Sequence, residues 1–459
     1  MADALTEAIA AAGLRSGGTL SLHHHWRDGD RAMTQALDAC AALGLAGLHL
    51  AASSLFPCHA ALIPRLRDGT VGRITTSYMR GPLADLVASG GFDGPVTLQT
   101  HGGRARAIGA GDLRIDLALV GVPRAGPDGA LGGADGPWAC GPLGYAMTEA
   151  AHARHVVALA AERGPLTRTC IPAAHVDAVI DGTPGDPRGI ASGTTAARPS
   201  PEGARVAALV VEMLAAGGFV RDGMRVQSGA GAVALAVTAG LGRAMAARGV
   251  RGAWASGGIT AAAVGLHREG LLARLRDVQA FDAAAVASYR DDPAHEALSA
   301  AAYADPTRAC AAHDLDVAIL GAAEVDADFD VNVTTTADGR IIGGSGGHAD
   351  VAEGAAFTVV ATALRAGGAP KLVERVAHRT TAGAHVDAVV TEGGIALPPR
   401  HAALAARLRR AGLPVRDIRD LVAAAGPAPA PPPAEGRIVA RSEDRHGRAG
   451  DAIRARSGP

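Results

Sequence analysis

Residues Leu320–Asp350 read LGAAEVDADFDVNVTTTADGRIIGGSGGHAD, and the rest of the chain is best understood outward from them. The apolar run Val317-Ala318-Ile319-Leu320 leads in and predicts a buried strand. It runs out into Glu324-Val325-Asp326, and the chain then turns through acidic residues into the alternating Val331-Asn332-Val333-Thr334. A second turn follows at Asp338-Gly339, a hairpin dipeptide, and the stretch ends in Gly343-Gly344-Ser345-Gly346-Gly347-His348. A carboxylate just past a strand, followed about twenty residues later by glycine N–H groups, predicts a nucleophile facing an anion cradle. Glycine lets that backbone take positive φ and lets a substrate approach closely. The same letters also fit a tight hairpin with a surface acid and a Gly-rich connection, because such a motif depends on its surroundings.

Composition narrows the class. At 459 residues the chain is long for one core, so two or three units are expected. Hydrophobic residues make up 48% and charged residues only 19%, which excludes a disordered chain. A net charge of −1 provides no field to recruit nucleic acid or an anionic membrane, and 3% aromatics provide few base-stacking platforms. Lys371 is the one lysine, and its context suits neither a phosphate loop nor a Schiff base. Cys40, Cys58, Cys140, Cys170 and Cys310 are scattered without CxxC spacing, so neither a zinc site nor a disulfide framework is expected. There is no basic leader with an apolar core and no run of about eighteen apolar residues. A soluble, cytoplasmic protein is the expectation.

Towards the N-terminus, an amphipathic segment and a Ser16-Gly17-Gly18 break precede strand-like Thr19–Arg27, which contains His23-His24-His25. Strand alternation would put at most His23 and His25 on one face. No acidic or cysteine partner stands at ligand spacing, so a packed or anion-contacting strand end is favoured over a metal site. Apolar runs at 96–100, 117–122 (ended by Pro123), 156–159 and 176–180 alternate with helical pattern, the mark of a parallel sheet covered on both faces. Loops are expected at 126–136 and 182–194. A helix at 202–216, closed by Gly217-Gly218, marks a junction. The second half resumes with Met224-Arg225-Val226, then Gln227-Ser228-Gly229-Ala230-Gly231 and a helix to about residue 248. That strand–glycine–helix turn suits a phosphate or carboxylate. A dinucleotide reading of Gly229–Ala234 lacks the acid expected about twenty residues on. Residues 426–436 form a Pro-rich linker before a charged tail.

Leu22–His25, Val96–Asp112, Ala139–Met147, Ser192-Gly193-Thr194-Thr195, Ser256–Thr260 and Phe329–Val333 are long distinctive runs. Through them the chain, between about residues 16 and 422, resembles the citrate lyase alpha-subunit family. The tail keeps only an outline of the family's terminal hairpin. The resemblance implies the coenzyme A transferase superfamily: an α/β fold with two tandem open α/β domains and the active site between them. The corresponding divisions are 1–217, 218–425, and a linker and tail at 426–459. The sequence itself shows no internal repeat. Within the resemblance, Glu324-Val325-Asp326 is similar to the segment that carries a catalytic glutamate. Gly343–Asp350 is similar to a GGxGGxxD cradle, with His348 where glutamine is common. Gly346 and Gly347 are then oxyanion donors. Gln227, Ser228, Gly229, Gly231, Gly343, Gly344, His348, Asp350 and His101 are expected to bind substrate or carrier.

The implied activity moves a thioester-linked carrier from acetate to citrate, either through a glutamyl thioester on Glu324 or by direct attack of citrate. The resemblance favours direct attack. Citrate carries up to three negative charges, so Arg27, Arg104 and Arg106 are its candidate partners. The subunit is expected to hold no metal and no cofactor of its own. The phosphoribosyl-dephospho-CoA arm comes from the acyl-carrier (gamma) subunit, and the citryl-carrier lyase (beta) subunit completes an oligomeric assembly. A transferase for free acyl-CoA or citramalate, and a non-catalytic assembly subunit, stay open as alternatives.

Overall fold

Two mainly parallel sheets with the same central strand order carry the chain, in a computed structural model that describes residues 2–192, 198–428 and 436–456. Gly193, Thr194 and Thr195 of the family match, the end of the loop expected at 182–194, and most of the Pro-rich linker lie outside the described residues. The first sheet uses β1 (Thr19–Leu22), β2 (Leu48–Ala52), β3 (Val71–Thr76), β4 (Val96–Leu98), β5 (Leu117–Ala125), β6 (Leu131–Gly132), β7 (His155–Arg163) and β8 (Ala178–Asp181). Its order is β4-β3-β2-β1-β5-β7-β8, with β6 added antiparallel to β5.

The second sheet starts with β9 (Arg225–Ser228), β10 (Gly252–Ile259), β11 (Leu272–Ala280), β12 (His295–Ala297) and β13 (Val317–Leu320). After it come β14 (Glu324–Asp326), β15 (Val331–Asn332), β16 (Thr358–Ala361), β17 (Arg365–Ala366), β18 (Ala369–Pro370) and β19 (Leu372–Val373). The element is closed by β20 (Ala388–Thr391), β21 (Gly394–Ala396) and β22 (Val415–Arg416). The order is β12-β11-β10-β9-β13-β16-β20-β21-β22, while β14 pairs with β15 and β19 in a small sheet of its own.

In each half the chain lays three strands to one side of the first strand and then crosses to the other side. The order therefore reverses between β1 and β5, and again between β9 and β13. In open α/β sheets such a reversal leaves a crevice past the carboxyl ends of the strands, where ligands bind. The duplication invisible in the sequence is thus plain in the topology. Strands β13, β16 and β20 are buried at every residue, as a sheet covered on both faces requires.

Three local differences from the sequence reading have clear causes. Strand β5 runs through Pro123, with Val122 and Arg124 both keeping partners in β7. On its other side β5 meets β1 only at Leu117 and Ala118, so the missing proline N–H leaves no ladder bond with β1 unmade. Strand β1 stops at Leu22, and the three histidines leave the sheet, so strand alternation does not govern them. The helix Pro201–Gly217, capped by Ser200 Oγ accepting from Gly203 N–H, ends at Gly218 with φ +85. It precedes the expected junction but packs on the helix Ala232–Arg248 and on β16 and β20 of the second sheet.

The tail is an ordered hairpin. Strand β23 (Ile438–Glu443) pairs parallel to β4 and antiparallel to β24 (Ala449–Arg454), extending the first sheet at that edge. At its turn Arg445 is 1% exposed and donates to the carbonyls of Asp350 and Ala304 in the other half. Among the described residues no helix is long and apolar enough to cross a membrane.

Candidate active site

The carboxyl ends of the two sheets face each other. From the first sheet they deliver His23–Arg27 after β1, Phe56 after β2, Tyr78 and Arg80 after β3, and His101 after β4. From the second they deliver Gly229–Gly231 after β9, Phe281 after β11 and Glu324 after β13. The seam is stitched by backbone: His101 N–H donates to Gly346 O at 2.8 Å, and Gly346 N–H donates to Ser77 O at 3.0 Å. Gln279 Nε2 also reaches the His24 carbonyl at 2.8 Å.

Arg27 is the cation of this seam. Its backbone sits at φ +53, a left-handed setting that costs a non-glycine residue on the order of 1 kcal/mol. The guanidinium lies 4.3 Å from the Phe281 ring and 5.5 Å from Phe56, with Nε and Nη1 buried and unpartnered. Burial lowers its pKa to about 10. Around it the imidazoles are held neutral: burial pushes His24 and His25 well down, and His101 to about 3. His24 and His101 flank Tyr145, with ring centroids 5.0 and 4.5 Å away. Among the described residues no set of three His, Cys, Asp or Glu side chains could hold a metal ion.

Glu324 is 6% exposed on β14. Its Oε2 accepts from Asn332 Nδ2 at 2.8 Å and from Ala377 N–H at 3.1 Å. Oε1 makes no protein hydrogen bond among the described residues, so one oxygen is anchored and the other has no protein partner there. The neighbouring Asp326 organises the backbone instead, accepting from the N–H groups of Asp328, Asp330 and Val376.

The glycine run divides its donors. Gly343 N–H donates to Thr334 O and Gly346 N–H to Ser77 O, so these two are structural rather than free for an oxyanion. The N–H groups of Gly344, Ser345 and Gly347 have no protein acceptor among the described residues. The expected donor role thus fits Gly347 and not Gly346. A Cβ on Gly344 would stand 2.5 Å from Ser77 O, and one on Gly347 2.5 Å from Tyr303 Oη. Gly344 therefore permits the two halves to touch, while Gly347 makes room for Tyr303 of its own half. The same Tyr303 hydroxyl accepts from Gln227 Nε2 at 2.8 Å, while Gln227 Oε1 is buried without a partner.

The other predicted residues separate. The Gly229–Gly231 turn begins the helix Ala232–Arg248; Gly229 N–H goes to Ile319 O, Ser228 Oγ to Ala234 O, and Gly231 is exposed. His348 donates from Nε2 to Gly321 O, which fixes Nδ1 as acceptor for Thr381 Oγ, and burial lowers its pKa to about 4. Asp350 is a tether rather than a substrate contact. Fully buried, it accepts from Thr100 Oγ1 at 2.6 Å and Gly102 N–H at 2.8 Å, joining the two halves. Burial raises its pKa to about 6.

Arg104 is committed to Glu149, Ser21 and the Ala51 carbonyl. Arg106 pairs with Asp112 beside the tail. Both arginines expected to meet citrate are thus engaged by acidic partners, with Arg104 Nη1 and Arg106 Nε buried and unpartnered, whereas Arg27 makes no ion pair among the described residues. Sequence reasoning missed Asn332 and Arg80, since nothing in their local letters shows what the fold sets beside them.

The profile of the family described as citrate lyase, alpha subunit, matches residues 1–455. The citrate lyase alpha chain of Escherichia coli (strain K12) is 39% identical over 418 residues, 90% of this chain and 82% of the relative. That of Klebsiella pneumoniae is 37% identical over 423 residues, 91% and 83% of the two chains. A Streptococcus mutans structure of the alpha subunit of citrate lyase in complex with citrate is similar at TM-score 0.95 and 36% identity, over 99% of this chain and 91% of that one. A Pseudomonas malonate decarboxylase hetero-tetramer in complex with malonate shares the fold at TM-score 0.68 and 16% identity, over 94% and 84%.

Proposed function

The chain belongs to the citrate lyase alpha-subunit family, and on that footing we propose that the cleft between its two sheets performs the family's citrate:acetyl-carrier transfer with Glu324 at its centre. Acetyl-carrier protein and citrate give citryl-carrier protein and acetate. The observation that carries the reading is Glu324 past the reversal of the second sheet, with Oε2 held and Oε1 free, in the half that faces Arg27 across the seam.

In the route favoured here, a citrate carboxylate oxygen attacks the acetyl thioester carbonyl and the carrier thiolate leaves, giving a citric–acetic anhydride. The thiolate then attacks the citryl carbonyl of that anhydride and acetate departs. Glu324 orients the carboxylates, and Gly344, Ser345 and Gly347 N–H groups stabilise the oxyanion. In the covalent route Glu324 Oε1 attacks the acetyl carbonyl and the thiolate leaves, giving an acetyl–glutamyl anhydride; the thiolate then attacks its glutamyl carbonyl, acetate departs, and a glutamyl thioester remains. Citrate attacks that thioester and expels the thiolate, which attacks the citryl carbonyl of the resulting anhydride and frees Glu324. Each anhydride must be kept from water, which suits a seam closed by backbone contact.

Arg27 holds a citrate carboxylate and Gln227 orients the reacting group. The open N-terminus after Gly229–Gly231 takes the phosphates of the carrier's CoA-like arm. In this reading the subunit carries no cofactor of its own, works beside beta and gamma subunits in an oligomer, and is cytoplasmic.

The test compares wild type with Glu324→Gln for citryl-carrier formation, and treats wild type mixed with acetyl thioester alone with borohydride. Loss of rate with a reduced Glu324 detected by mass supports the covalent route. Loss without an adduct supports direct attack. Near-normal rate in Glu324→Gln removes the residue from the chemistry.

A further inference from the structure

Arg80 brings a second unneutralised cation to the Phe56 ring. Its guanidinium carbon lies 5.6 Å from the ring centroid, against 5.5 Å for Arg27, and its Nε is buried without a partner. Neither arginine makes an ion pair with any carboxylate among the described residues. Asp28, the acid whose charge acts on Arg27, gives Oδ1 to Cys58 N–H at 2.9 Å. The Arg80 charge also weakens the hold of Arg27 on its proton, as two facing cations must. Buried or half-buried guanidinium groups are normally paired, because an uncompensated charge away from water is costly. Two of them sharing one aromatic ring, with three buried nitrogens unsatisfied, form a site that an anion completes.

We propose that Arg27 and Arg80 form a clamp for the carboxylates of the acceptor that do not react, so that Arg80 selects di- and tricarboxylates over monocarboxylates. The inference rests on the transfer reading above and deepens it. Citrate offers one carboxylate to the thioester and keeps two for the arginines, whereas acetate has none to spare. The planar forks suit two-point contact with carboxylates, and Phe56 and Phe281 hold the Arg27 fork flat and shielded. Tyr78 lies between Arg80 and the glycine run, with Cε2 3.1 Å from where a Gly343 Cβ would be, which places the clamp beside the cradle. Because the free enzyme bears the repulsion, acceptor binding relieves it.

The experiment uses the full chain as Arg80→Met and Arg80→Lys, with citrate, tricarballylate and acetate as probes. Calorimetry is expected to show citrate and tricarballylate binding weakened about 100-fold in Arg80→Met, with partial recovery in Arg80→Lys. In acetyl-thioester assays the preference for citrate over labelled acetate is expected to fall by at least about 10-fold through KM rather than kcat. Without ligand, Arg80→Met is expected to melt at or above the wild-type temperature, since a like-charge contact is gone. Citrate binding unchanged in Arg80→Met, or citrate and acetate use lost to the same degree, overturns the clamp. Citrate bound by wild type and not by Arg80→Met, with acyl transfer in neither, upholds the clamp and removes the transfer reading.

Discussion

The Asn332 side chain makes five hydrogen bonds, tying β14 to the turn that follows β15. Nδ2 donates to Glu324 Oε2, Thr335 O and Thr335 Oγ1, and Oδ1 accepts from the N–H groups of Thr334 and Thr335. Asn332→Asp would set a second carboxylate against Glu324, favouring protonation of one of them. The pH–rate profile of this variant is expected to lose its acid limb to higher pH, with kcat/KM at neutral pH down about 10- to 100-fold.

Asp350 makes a second residue-scale prediction. Its folded pKa of about 6 lies above the usual carboxylate value, so the folded chain binds this proton more tightly than the unfolded chain. The stability linked to that proton is present below the unfolded value and is lost as pH rises from about 4 to about 6. The stability difference between wild type and Asp350→Asn, measured by urea melts at several pH values, is expected to fall across that window by about 3 kcal/mol. Glu324 was legible because an acid just past an apolar run needs only local letters. Arg104 and Arg106 look alike in sequence, yet Arg104 is buried against Glu149 and Arg106, partly buried, pairs with the exposed Asp112. Partners 45 and 6 residues away decide that difference: Glu149 lies outside the matching run, and Asp112, its last residue, carries no mark of the pairing.

At the scale of elements, the glycine run and the glycine turn separate by what surrounds them. A Cβ on Gly344 would meet Ser77 O at 2.5 Å, whereas one on Gly231 would meet nothing within 4 Å. Gly344→Ala is therefore expected to cost at least about 2 kcal/mol in a denaturation experiment, against less than about 1 for Gly231→Ala. The run was expected as a cradle from its letters, and two of its N–H groups, those of Gly343 and Gly346, are instead taken by protein carbonyls. Its other task, letting β3's end and the first turn of the helix His101–Ala110 approach, was not legible there, because both contacts come from more than two hundred residues earlier in the chain. The three histidines were misread as strand for a related reason. Their strand sits at the reversal of the sheet, where the chain must leave for the seam, and propensity does not report that.

For the whole molecule, the strand order repeats while the letters do not. A parallel sheet constrains apolar pattern and connection length, and many sequences satisfy both, so the two halves could diverge beyond recognition. The α/β class and the seam were foreseeable from alternating runs and from resemblance; the placement of the helix Pro201–Gly217 on the second sheet was not. That helix and the tail hairpin each cross between halves. A chain cut after residue 217 is accordingly expected to yield insoluble or molten halves, checked by near-ultraviolet circular dichroism. Arg445→Ala leaves the carbonyls of Asp350 and Ala304 without their donor. It is expected to lower stability by about 2–4 kcal/mol in the intact chain.

The hairpin that completes the first sheet has a consequence for biosynthesis. Strand β4 leaves the ribosome more than three hundred residues before β23, its neighbour at that edge. Throughout that interval the nascent N-terminal sheet presents an uncovered strand edge, open to pairing with another nascent chain on the same messenger. Translation order therefore makes the last few dozen residues the guard of the first domain, and slow or interrupted synthesis is expected to send this protein to aggregates before it sends it to proteolysis.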